Sequence, residues 1–159
     1  MYHKPVLKKE VINALSIKPE GLYVDATFGG GGHSLQILNN LGLNGKLFAF
    51  DQDNDSNINS LNDSRFTLIN NNFSNIKKCL KFYSVEKING LLADFGVSSY
   101  QLDTKARGFS INKNSRLDMR MNQKQSLDAY FVVNNYSETK LTSIFLNYGE
   151  LKKANIFSN

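Results

Sequence analysis

This 159-residue sequence has no tryptophan, a single cysteine, little arginine and no long apolar run. Cys79 stands alone, which excludes an intramolecular disulfide and a cysteine-built metal cluster, and no metal is expected. No apolar run approaches the ~20 residues of a membrane-crossing helix, so the protein is not expected to be integral to a membrane. The opening Met1-Tyr2-His3-Lys4-Pro5 lacks the apolar core of a secretory signal, and the expected compartment is the cytoplasm. Arginine occurs four times against fifteen lysines, and Arg107, Arg116 and Arg120 fall within one short stretch. A scarce residue clustered in this way points to a use for its planar, bidentate donors.

What is present describes a globular chain. The hydrophobic fraction is 41%, with eleven phenylalanines, enough for a substantial core. The net charge of +5 permits a nucleic-acid partner without requiring one.

The most informative segment runs from Tyr23 to His33 and contains four consecutive glycines, Gly29 to Gly32. A short β-type run (Leu22 to Ala26) precedes them and a helical pattern (Ser34 to Leu41) follows. Glycine admits close approach of backbone to a ligand, and the amides of a helix start attract an anion. Further strands are expected at 46–50, 66–69 and 88–93. Helices are expected at 6–15, 53–61 and 75–83, then from a Ser126 cap to Val133 and from a Ser137 cap to Tyr148. This alternation indicates an α/β fold with a parallel sheet, whose ligands bind beyond the carboxyl ends of the strands. The glycine loop, Asp51, the Asn70 to Phe73 segment and Asp94 each follow one of the four strands.

The ligand is narrowed by what the loop omits. Reading Gly29-x-Gly31 puts Ser34 where a dinucleotide fingerprint has its third glycine, and Gly32-His33-Ser34 lacks the lysine of a phosphate-cradling loop. Asp51 lies nineteen residues after Gly32, where an acid can accept from ribose hydroxyls. Phe73 could lie against an adenine and Asp94 could approach the far end of the ligand. An adenosine ligand with neither signature points to S-adenosylmethionine. A nicotinamide-dependent oxidoreductase is the competing class, and it leaves the Asp94 to Asp103 block unexplained.

Several blocks in order also resemble a known family, the bacterial methyltransferases that act on the N(4) amine of a cytosine in small-subunit ribosomal RNA. They are His3-Lys4-Pro5-Val6-Leu7, Val24-Asp25-Ala26-Thr27-Phe28-Gly29, Gly31-Gly32-His33-Ser34 and Asp94-Phe95-Gly96-Val97-Ser98-Ser99. Gln101-Leu102-Asp103, Arg107-Gly108-Phe109-Ser110, Leu117-Asp118-Met119-Arg120-Met121 and Tyr148-Gly149-Glu150 follow. The resemblance implies a class I methyltransferase fold, a Rossmann-like parallel sheet, with S-adenosylmethionine as cofactor. It implies cofactor contacts at Gly31, Gly32, His33, Asp51, Phe73, Asp94 and Gln101. Its implied partner is small-subunit ribosomal RNA or the assembled small subunit, modified at the decoding centre.

A cytosine amine is a poor nucleophile because its lone pair is delocalised into the ring, so catalysis needs positioning and an acceptor for an amine proton. Asp94 is the expected acceptor, with Asp103 and Asp118 as lesser candidates. The Pro-Pro-aromatic signature of DNA amino-methyltransferases is absent after Asp94, where Phe95-Gly96-Val97 stands. Arg107, Arg116 and Arg120 are expected to grip RNA phosphates, with Phe109 or Tyr100 available for stacking. Residues 1–103 are expected to form the first part of the methyltransferase core, and 104–159 a loop and the first helices of an inserted substrate-recognition domain. Four strands fall short of the seven that the resemblance implies, so an N-terminal portion is expected, binding cofactor weakly and methylating little alone. A non-catalytic RNA- or nucleotide-binding remnant is the alternative.

Overall fold

Apolar residues fill both faces of the central strands, and helices cover each face. The computed structural model describes residues 5–158; His3 and Lys4, which open the first motif block, and Asn159 lie outside the described residues. The chain divides into two compact units, residues 1–100 and 101–159, described separately below.

In the first unit, strands β1 (Leu22–Asp25), β2 (Lys46–Asp51), β3 (Phe66–Asn70) and β4 (Gly90–Leu92) form one sheet in the order β3-β2-β1-β4. All pairings are parallel: β1 runs beside β2 from Leu22↔Lys46 to Asp25↔Ala49 and beside β4 from Tyr23↔Gly90 to Asp25↔Leu92. Helices α1 (Lys8–Leu15), α2 (Gly32–Asn40) and α3 (Ile76–Phe82) complete the unit. The expected parallel α/β architecture is therefore the one observed, with β1 and β2 central.

Alternation along the strands separates two cores. Tyr23 and Leu47 pack with Ile37 and Leu38 of α2 and with Leu41 just beyond it on one face, backed by Ile12 and Leu15 of α1. Val24, Phe48 and Phe50 pack with Leu80 of α3 on the other, with Ile76 and Cys79 beside them. Strands buried on both faces are characteristic of parallel sheets. The order reverses between β1 and β4, because β2 and β3 extend the sheet one way and the chain then crosses back. Open α/β sheets bind ligands at the carboxyl ends of strands at such a reversal.

Two local expectations are corrected. The segment expected as a helix over 53–61 is a 3-10 helix, Asn54–Asn59, in which the Asp53 side chain accepts from the Asp55 amide. Its Asn, Asp and Ser residues offer the backbone competing side-chain bonds, which disfavour a regular α-helix. In the second unit, helix α4 (Ser99–Asp103) begins before the boundary, and α5 (Ala129–Asn135), α6 (Glu138–Asn147) and α7 (Ala154–Phe157) follow. The cap of α5 is Asp128, not Ser126: its carboxylate accepts from the Phe131 amide at 2.7 Å. Ser137 caps α6, accepting from Lys140. No helix among the described residues is long and apolar enough to cross a membrane.

Candidate functional site

Asp25 ends the central strand among buried apolar neighbours and is only 1% exposed. One of its oxygens accepts from the Thr27 amide at 3.0 Å and the other from the Ser34 hydroxyl at 2.7 Å. A single carboxylate thus ties together the two ends of the glycine segment. Burial pushes this carboxyl above the usual range, opposed by those two bonds. Sequence reading placed Asp25 in a motif without a role. An acid inside a buried strand needs dedicated partners, and that was the signal available.

Between these anchors the loop turns sharply. Gly29 (φ 50°) and Gly31 (φ 74°) are left-handed, and a Cβ at Gly31 would sit 2.9 Å from the Phe28 ring. Here glycine is required by both conformation and space. The Gly29 amide donates to Asp51 at 2.8 Å, and the other Asp51 oxygen accepts from the Asp53 amide at 2.9 Å. The Asp51 carboxylate is therefore held in a fixed orientation at the end of β2, beside the loop. The Asn59 side-chain amide donates to the Gly29 carbonyl from the other side. Helix α2 starts at once, with Leu35 the first amide to bond back, to Gly31. The amides of Gly32, His33 and Ser34 precede that ladder and form the cationic end of the helix.

His33 is buried at this helix start. Its Nε2 lies 2.9 Å from the Val6 carbonyl, which can only accept, so Nε2 carries the proton. Nδ1 then faces Asp94, 4.0 Å from its Oδ2. Asp94 itself is half-exposed (48% of its side chain), and its amide donates to Thr27 Oγ1 at 2.7 Å. Pro5 is pressed against the same turn: a Cβ at Gly32 would overlap the Pro5 ring. Gly32→Ala is expected to displace Pro5 and Val6 and to cost about 1 kcal/mol. The imidazole 15N shifts of His33 should then lose their Nε2–H pattern; an unchanged spectrum would refute the coupling.

Phe73 follows β3 and Phe95 follows β4. Their rings meet at 5.3 Å, and both are exposed. Phe95 was missed because nothing in its spacing marks it as the partner of a residue twenty-two positions earlier. Around the carboxyl ends of β1, β2, β3 and β4 the structure brings together Gly31, Gly32, His33, Asp51, Phe73 and Asp94. Gln101 is buried in α4 and belongs to the second unit.

The arginine cluster of that unit is differently employed. Arg107 is 4% exposed and donates to the Arg120 carbonyl at 2.7 Å and the Met121 carbonyl at 3.3 Å. The expectation that it grips phosphate is corrected by this burial: it braces the loop from within. Arg120 is likewise engaged, with Asp118 at 2.6 Å and the carbonyls of Gln123 and Gln125. That pairing holds the Asp118 carboxyl below its ordinary range. Arg116 alone of the three is well exposed (67% of its side chain), paired with the buried Asp128 and lying over the Tyr130 ring.

Comparison with known proteins identifies the family of the chain. The profile of the MraW methylase family matches residues 1–158. A protein of Flavobacterium johnsoniae named ribosomal RNA small subunit methyltransferase H is 56% identical over 99% of this chain and 52% of its own length. Proteins of the same name from Christiangramia forsetii and Phocaeicola vulgatus are 54% and 48% identical, over 96% and 97% of this chain and 51% of each relative. The chain thus spans about half the length of the curated relatives it matches.

Proposed function

The chain belongs to the MraW methylase family, and from that premise we propose that its first unit is the cofactor-binding part of an S-adenosylmethionine-dependent enzyme methylating a cytosine amine in small-subunit ribosomal RNA. The observation that carries this reading is the convergence of a left-handed glycine loop, an oriented carboxylate and an exposed aromatic pair at the sheet's reversal point. In this reading Asp51 receives the ribose hydroxyls, since its carboxylate is already oriented by two amides. Phe73, backed by Phe95, offers a flat apolar face to the adenine. Gly32 and His33 bring backbone amides to the polar end of the ligand, while Gly31, whose own amide donates to the Phe28 carbonyl, keeps the turn tight enough for close approach. When bound, the cofactor supplies a methyl group activated on a sulfonium.

The chain's own residues then position and accept. Asp94, at the mouth of the β1–β4 crevice, accepts a hydrogen bond from a proton of the target amine. That favours a pyramidal nitrogen with its lone pair directed at the methyl group. The target base must leave its stack to reach this crevice. With Arg107 and Arg120 committed internally, Arg116 is the member of the cluster we assign to the phosphate backbone. The partner is the small ribosomal subunit or its RNA, and the setting is the cytoplasm.

Calorimetry of S-adenosylmethionine with this chain tests the reading. Asp51→Ala should weaken binding about tenfold or more, the loss of a charge-assisted hydrogen-bonding group. Binding of a nicotinamide dinucleotide in preference, or cofactor binding indifferent to Asp51, would overturn it.

A further inference from the structure

The ladder between β1 and β4 ends at the site. The last paired residues are Asp25 and Leu92, and one further backbone bond, from the Ala26 amide to the Leu92 carbonyl at 2.8 Å, closes it. Beyond this point the backbone ladder stops, yet a link persists across sixty-seven residues of sequence. The Asp94 amide donates to the Thr27 hydroxyl at 2.7 Å. Here a side chain, not a backbone carbonyl, is the acceptor, so the two segments stay tied beyond the end of the ladder.

We propose that Thr27 is a positioning residue that sets the place of Asp94 relative to the glycine loop; this rests on the cofactor-site reading given above. Thr27 is itself anchored, because its amide donates to the buried Asp25 carboxylate. The chain of contacts therefore runs from the most buried acid of the sheet, through one threonine, to the half-exposed acid at the crevice. His33 approaches the Asp94 side chain from the other end of the loop at 4.0 Å, beyond hydrogen-bond length. The Thr27 bond is the shorter and directional constraint. Serine preserves the acceptor. Valine preserves the branched shape and removes it.

The test compares Thr27→Val and Thr27→Ser in the full chain by two readouts. The first is the hydrogen-exchange rate of the Asp94 amide without ligand. Valine should raise it about tenfold, and serine should leave it within about threefold of wild type. The second is S-adenosylmethionine affinity. Valine should weaken it about tenfold, serine should restore it, and Thr27→Val combined with Asp94→Ala should bind no worse than Asp94→Ala alone. An Asp94 amide whose exchange ignores valine, or losses at 27 and 94 that add in the double variant, would overturn the proposal. Absence of cofactor binding by the wild-type chain would instead overturn the cofactor-site reading, and the exchange measurement would then decide the role of Thr27 by itself.

Discussion

Replacing Asp25 with alanine is expected to lower the unfolding free energy by about 3 kcal/mol, while asparagine at the same place leaves it equal or higher at neutral pH. Alanine strands two donors inside the fold, the Thr27 amide and the Ser34 hydroxyl, where each lost partner costs about 1–3 kcal/mol. Asparagine keeps both bonds, because its oxygen accepts from Thr27 and its amide donates to a Ser34 hydroxyl turned to accept. It also removes a desolvated charge. The pH dependence has a definite sign. Burial raises the native pKa of Asp25 above the unfolded 3.8, so the native state holds more protons in the interval between. Its contribution is fully present below 3.8 and is lost as pH rises through the native value. The stability of Asp25→Asn should therefore exceed that of wild type near neutrality, with the gap closing on acidification. Asp63 acts oppositely: the Arg65 guanidinium holds its carboxyl down to about 2, so its contribution is fully present above 3.8 and is lost as pH falls from there through about 2. The two signals occupy different windows. Urea unfolding followed by far-ultraviolet circular dichroism suits a chain without tryptophan. An alanine variant as stable as wild type would show that Asp25 does not tie the loop.

The second large effect lies in the other unit. Gly108→Ala should cost about 3 kcal/mol, combining left-handed strain with overpacking. Gly108 has φ 72°, and a Cβ there would meet the Arg116 carbonyl oxygen and the Asp118 amide nitrogen, each at 2.6 Å. Both obstacles are backbone, so no rotamer relieves them. The contacts that depend on this approach are the Met119 amide to the Arg107 carbonyl, the Ala129 amide to the Asp118 carbonyl and the Tyr130 amide to the Leu117 carbonyl. Hydrogen exchange at these three amides should accelerate together. Unchanged protection would show that the loop yields without cost.

The strands and helices of the first unit were legible because apolar period and glycine punctuation report burial directly. Asp51, Phe73 and Asp94 could be placed at one end of the sheet from topology alone, without knowledge of a single contact. What stayed hidden depends on local competition. The Asn54–Asn59 segment carries helical spacing, but spacing does not register a carboxylate bonding the amide two residues on. The arginine cluster misled for a related reason. A loop has no periodicity to reveal an inside, so Arg107 looked like surface charge although its guanidinium serves the carbonyls of Arg120 and Met121. Thr27 escaped notice because its partner is distant in sequence and the bond uses a backbone donor.

That distance also sets the order in which the site is made. At synthesis rates of roughly 5–20 residues per second, the glycine loop leaves the ribosome several seconds before Asp94 exists to bond with Thr27. Through that interval β1 has only β2 as a possible neighbour and the crevice has a single wall. The nascent chain therefore acquires its ligand end last, as β4 arrives, and a translational pause just before Gly90 would hold the loop in its half-built form.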